Sequence, residues 1–280
     1  MIPFDFEYYK PSTLADSIQL FHELDSLNKQ PLYYSGGTEF ISMARMHNVY
    51  SGAIIDVKAI PELNIYEIND DELIIGAALS LTRIAEEDLF PLLSLTVRRI
   101  ADHTIQDKIT LGGNIAGTII FRESVLPLMV ANAYIVIASR DGLSRLPLMD
   151  VFDKRIKLDK GELICQIIIK RDYLDLPSIH VKRTKYEKID YPLITLVALK
   201  KNQNINFAFS GLCDYPFRHK PLENILNHNN DNKSRDERIK LAISSLNSFI
   251  LEDLHGSAEY KRFVLHKMLY ETLENLEGDS

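Results

Sequence analysis

The stretch "TLGGNIAG" (residues 110–117) sets two adjacent glycines inside a run that otherwise favours ordered structure. Glycine lacks a Cβ, so it reaches positive φ and lets another backbone or a ligand come close. A second pair stands in "YYSGGTEF" (33–40), and these four glycines are a third of the twelve in the chain. Either pair alone reads as a plain turn. Two pairs, with Gly37 and Gly112 lying 75 positions apart, suggest a shared task, with positive φ expected at all four positions.

Around the first pair, "PLYYSGG" and "GAIIDV" read as short buried strands with the helix "EFISMARMHN" between them. Strand, helix and strand in so short a span predict a parallel crossover unit, a small α/β layer. Before it, "STLADSIQLFHELD" opens on a Ser/Thr cap and carries Leu14, Ile18, Phe21 and Leu24 at helical spacing. After it come strands in "LNIYEIND" and "ELIIGAAL" around Asn69-Asp70-Asp71, then helices over 82–89 and 91–102. Beyond the second pair, "VLPLMVANA" predicts a short helix, and "YIVIAS", "LSRLPLM" and "GELICQIIIKR" predict strands of an antiparallel sheet. Past a break at 172–178, "SIHVKRTKY", "LITLVALKK" and "INFAFSGL" form a three-stranded meander. A polar tract over 227–238 leads into two helices, "RDERIKLAISSLNSFI" and "SAEYKRFVLHKMLYETLENL".

A chain of 280 residues, 46% hydrophobic and 25% charged, can bury one large core or two to three smaller ones. A net charge of −7, with Lys and Arg scattered among acids, gives no basic stripe for nucleic acid. No apolar run approaches the ~20 residues that span a bilayer, and "MIPFDFEYYK" has neither a basic nor an apolar leader segment; a soluble, cytoplasmic chain is expected. Cys165 and Cys213 lie in isolated apolar strands, so buried free thiols are expected. The eight histidines show no metal-ligand spacing, and His103 beside Asp107 reads as a structural residue at a helix end.

A Gly-rich turn backed by a helix N-terminus forms an anion site from converging N–H groups and the helix dipole. Yet "SGGTEF" has neither the Lys-Ser/Thr of a P-loop nor the GxGxxG of a Rossmann domain. Together with their flanks, the two pairs resemble the FAD-binding middle subunit of the molybdenum hydroxylases, the group of xanthine dehydrogenase and aerobic carbon monoxide dehydrogenase. That family carries loops of the types AGGTDL and TIGGNIA. Further likenesses are "LPLMVANAYIVI", "GELICQIII", "IHVKRTKY" and the C-terminal run Asp253-Leu254-His255-Gly256-Ser257-Ala258-Glu259-Tyr260-Lys261, so the resemblance runs nearly end to end.

The resemblance implies an α+β chain: a two-subdomain FAD-binding fold of the vanillyl-alcohol-oxidase type (1–58 and 59–172) and a C-terminal domain (173–280) with a three-stranded antiparallel sheet and helices. It implies FAD contacts from Tyr34, Ser35, Gly36, Gly37, Thr38, Glu39 and Phe40, and from Ala101, Thr110, Gly112, Gly113, Asn114, Ala116, Gly117 and Ile164. Glu123, nine residues after Asn114 where the family usually has Asp, would face the adenosine portion, and its loss would weaken FAD retention before folding. Lys182 would approach the flavin or its phosphates, or else is a solvated strand-edge lysine. Gln106 replaces a family arginine and Ile120 a proline. The implied role is electron transfer: a molybdenum-cofactor large subunit oxidises substrate, possession of two [2Fe–2S] clusters falls to a small subunit, and FAD on this chain passes electrons to NAD+ or another acceptor. The implied assembly is a dimer of heterotrimers, and "FRESVLP" after the second pair resembles purine-oxidising members such as xanthine dehydrogenase. Two alternatives stand beside this reading: a stand-alone flavoenzyme of the wider fold group, and a scaffold that has lost flavin.

Overall fold

The computed structural model describes residues 2–185, 190–227, 233–246 and 248–277. Tyr186 of the first C-terminal strand, 228–232 of the polar tract and Asn247 of the penultimate helix lie outside the described residues. Contacts divide the chain into two compact units. The first comprises 1–89, 102–118 and 132–171; the second comprises 90–101, 119–131 and 172–280.

In the first unit, the Ala53–Asp56 strand lies between Glu7–Tyr9 and Leu32–Tyr34, parallel to both. All four residues of this central strand are buried, as an unbroken apolar run in a parallel sheet requires. The Leu14–Ser26 helix buries Leu14, Ile18, Phe21 and Leu24, the stripe its spacing predicts, and the Thr13 hydroxyl accepts from Asp16 N–H at 3.1 Å. A five-stranded antiparallel sheet follows, in the order Tyr66–Ile68, Glu72–Gly76, Leu163–Lys170, Tyr134–Ser139, Gly142–Pro147. Its edge strand Gly142–Pro147 is exposed throughout and ends in proline, which cannot donate to a further strand.

The second unit is built on the antiparallel sheet Ser178–Thr184, Pro192–Lys201, Asn204–Ser210 and Phe217–Arg218. The expected three strands gain a fourth of two residues, and the unpredicted Lys220–Asn227 helix follows it. The Pro192–Lys201 strand is buried over its first eight residues, packed by the Val125–Val130 and Ala258–Glu277 helices. The Arg235–Ser244 helix starts in a capping box between Ser234 and Glu237. Cys165, in the first unit, and Cys213, in the second, are free and buried. Among the described residues no helix is long and apolar enough to cross a membrane.

The C-terminal run 253–261 folds into a knot around one carboxylate. Asp253 Oδ1 accepts the N–H of His255 (2.9 Å) and of Gly256 (3.2 Å), while Oδ2 accepts the Lys261 ammonium at 2.6 Å. That ammonium is fully buried and also donates to the Gly211 carbonyl at 2.9 Å, fastening the last helix to the end of the Asn204–Ser210 strand. Burial raises the Asp253 carboxyl, but Lys261 and the backbone donors outweigh it and hold the group below the usual range. Lys261→Met is expected to cost about 2 kcal/mol, less than for a fully buried pair because Asp253 regains water; a urea midpoint unchanged from the parent would contradict this.

Candidate functional site

The first glycine pair links the Leu32–Tyr34 strand to the Thr38–Arg45 helix. Gly37 is the helix N-cap at φ +69°, a left-handed conformation, and no side chain caps that end. The backbone N–H groups of residues 36 to 40 have no hydrogen-bond partner among the described residues. The Ser35 hydroxyl is buried and likewise without a partner. Consecutive unpaired donors at the start of a helix form a concave site for an anion, with the dipole adding to it.

The second glycine pair does something else. Residues 111–116 are a short helix rather than a loop, capped by the Thr110 hydroxyl on Gly113 N–H at 3.3 Å. Its first donors are spent: Leu111 on the Leu79 carbonyl (2.9 Å), Gly112 on Ala77 (2.9 Å), Asn114 on Thr110 (2.8 Å). Of the four glycines only Gly37 has positive φ, which corrects the expectation for Gly36, Gly112 and Gly113. Absence of bulk is what the others supply. A Cβ on Gly36 would lie 1.9 Å from the Lys108 carbonyl oxygen, and one on Gly112 would lie 2.7 Å from the Ala77 Cβ. These contacts set the two pairs side by side in the first unit.

A latch closes the arrangement. Thr118 N–H lies 2.9 Å from both oxygens of Glu39, and the Thr118 hydroxyl donates to Oε1 at 2.6 Å. The Glu39 carboxylate, expected at the cofactor, thus ties the first turn of the Thr38–Arg45 helix to the chain leaving the short helix. Ala116 and Gly117 lie on that exit, exposed and half-buried. Ile164 is buried in the Leu163–Lys170 strand, where the neighbouring Cys165 carbonyl accepts Ala77 N–H at 3.0 Å. A group that sequence reasoning passed over stands beside the first pair. Asp56 and Lys58 pair at 2.7 Å, and Lys58 Nζ lies 3.3 Å from the Ser35 carbonyl.

Ala101, Glu123 and Lys182 belong to the second unit. Glu123 and Lys182 are turned on each other: Lys182 Nζ donates to Glu123 Oε2 (2.9 Å) and to the Arg99 carbonyl (2.8 Å), and Thr195 Oγ1 donates to Glu123 Oε1 (2.6 Å). Both side chains are buried, at 2% and 5% exposure, so the solvated-lysine reading of Lys182 is corrected. Burial raises the Glu123 carboxyl despite the lowering pull of Lys182 and Thr195. Nearby His180 is pushed down to about 4 by burial, then by the charges of Arg99 and Lys182, and stays neutral. Thr195, Arg99 and His180 carry no sequence signal, since each is an ordinary residue in an apolar setting.

Among the described residues no group of three or more His, Cys, Asp or Glu could hold a metal ion. Two glycine pairs set around an uncapped helix start with unpaired donors form a scaffold suited to a phosphate-bearing cofactor. Residues 4–170 match the family model described as the FAD binding domain in molybdopterin dehydrogenase, and the chain belongs to that family. It is 28% identical to the glyceraldehyde dehydrogenase medium chain of Sulfolobus acidocaldarius, over 95% of this chain and 96% of that one. It is 27% identical to the xanthine dehydrogenase FAD-binding subunit of Escherichia coli O157:H7, over 73% and 72%. A solved carbon monoxide dehydrogenase chain from Hydrogenophaga pseudoflava has the same fold, at TM-score 0.84, 22% identity and 99% of both chains. The chain is an FAD-binding oxidoreductase subunit of the molybdenum hydroxylase type. The residues fit this cofactor: unpaired donors at 36 to 40 and the orphaned Ser35 hydroxyl match a pyrophosphate, an acceptor-only dianion.

Two substitutions separate these sites. Gly36→Ala is expected to lower FAD retention by at least about tenfold, because the Lys108 backbone must move; flavin absorbance per chain after gel filtration measures it. Lys182→Met is expected to cost about 3 kcal/mol or more, by leaving Glu123 buried without its partner, and the double variant with Glu123→Gln should recover most of that. A carboxyl whose folded pKa is raised favours the fold below the unfolded value of about 4.3 and loses that contribution as pH climbs to the folded value. The deficit of Lys182→Met in urea melts should therefore be larger at pH 8 than at pH 5.

Proposed function

We propose that this chain carries electrons within a multi-chain molybdenum hydroxylase of the cytoplasm. In this reading a large subunit with the molybdenum cofactor oxidises the substrate and a small subunit with [2Fe–2S] clusters relays electrons to FAD held here. NAD+ or another acceptor takes them, and the complex is a dimer of heterotrimers. The observation that carries the reading is the run of unpaired N–H donors at residues 36 to 40 beside the buried Ser35 hydroxyl. FAD supplies the one- and two-electron exchange. The chain's own part is to bind and orient: residues 36 to 40 hold the pyrophosphate, Thr38 adds a hydroxyl, and the Glu39–Thr118 latch keeps the loop closed.

For the substrate we propose a purine such as xanthine, supported by the "FRESVLP" segment and the Escherichia coli relative's name. An aldehyde is the second reading, favoured by the 95% coverage of the relative named for glyceraldehyde. The complex purified with its partner chains is expected to be yellow, to bleach near ~450 nm on adding xanthine without oxygen, and to recover colour with NAD+. Bleaching by glyceraldehyde and not by xanthine would select the second reading. A complex in which neither compound reduces the flavin would remove both.

A further inference from the structure

The Ala53–Asp56 strand ends beside the first glycine pair on a carboxylate whose side chain is only 3% exposed. Asp56 accepts three donors: Lys58 N–H at 3.0 Å, Lys58 Nζ at 2.7 Å and the Tyr8 hydroxyl. Burial raises its carboxyl, but the Lys58 ammonium, the Tyr8 hydroxyl and the Lys58 N–H outweigh this and hold it below the usual range, as an ion. The same ammonium lies 4.4 Å from the centroid of the Tyr34 ring and donates to the Ser35 carbonyl at 3.3 Å. It is therefore fixed by an anion, an aromatic face and a backbone oxygen, while 45% of the side chain stays open to solvent.

The Ser35 carbonyl and the Gly36 N–H share one peptide plane and point in opposite directions in its trans form. Holding that carbonyl on Lys58 fixes the direction of the first of the unpaired donors. An ammonium has three N–H groups, of which Asp56 and Ser35 occupy two. The ammonium thus stands on the carbonyl side of this peptide, opposite to the direction of the Gly36 N–H.

We propose that Lys58 is a positioning residue for the FAD pyrophosphate: Asp56, Tyr8 and Tyr34 hold its ammonium on the Ser35 carbonyl, which aims the Gly36 N–H. This rests on the reading of residues 36 to 40 as the pyrophosphate site. The test uses the full chain freed of flavin, titrated with FAD by flavin fluorescence and with ADP as competitor, since ADP carries the diphosphate without the flavin. Lys58→Met should weaken both ligands about tenfold, whereas Lys58→Arg, which can still donate to the Ser35 carbonyl, should stay within about threefold of the parent. Asp56→Asn, which loosens the ammonium without removing it, should fall between them. Lys58→Met that binds FAD and ADP within about twofold of the parent overturns the proposal. A parent chain that binds FAD but not ADP would instead show that the cradle does not hold the diphosphate, and both readings would fall.

Discussion

Gly36 and the Lys108 carbonyl share space that a single methyl group would fill, and the first unit is arranged around that closeness. The contact brings the end of a parallel strand against Thr110, which bridges to Ser80. From there hydrogen bonds run inward, Leu111 to Leu79 and Gly112 to Ala77, then Ala77 to Cys165 in the middle of the five-stranded sheet. The run of unpaired donors is thus mounted on the core by backbone bonds rather than carried on a free loop. Such mounting fixes the direction of the unpaired donors.

The glycine pairs divide their work. One pair leaves its donors unpaired, and the other surrenders its donors to the protein. Charge is divided in a similar way. In the first unit the Lys58–Asp56 pair is half-open, with its cation on the Ser35 carbonyl. In the second, Lys182–Glu123 and Lys261–Asp253 fasten strands and helices, with both ammonium groups buried.

Much of the fold was legible in the sequence because the signals are local. Alternation and apolar runs marked the strands, the Thr13 cap and the Leu14, Ile18, Phe21 and Leu24 stripe marked the first helix, and Gly-Gly with its flanks marked the family. What the sequence hid depends on contacts between distant residues. Glu7–Tyr9 is three polar and aromatic residues that become a strand only by pairing with Ala53–Asp56. Residues 111–116 carry two glycines, poor helix formers, and are helical because the Thr110 cap and the bonds to Ala77 and Leu79 outweigh propensity. Glu123 and Lys182 were visible as charged residues, but nothing nearby in the chain foretold that they would be buried against each other. Lys58 escaped notice for a related reason: its importance lies in the Ser35 carbonyl, 23 residues away.

The two cysteines bear on how the chain ages. A reduced flavin that meets oxygen can release peroxide, and peroxide attacks the thiolate form of cysteine. Cys165 is 1% exposed, and burial, with the nearby Glu62 charge, pushes its thiol up to about 12, so it holds almost no thiolate at neutral pH. Cys213 is 6% exposed. Oxidative wear should therefore register first at the surface methionines, Met46 and Met149, as sulfoxides that leave the core packing intact.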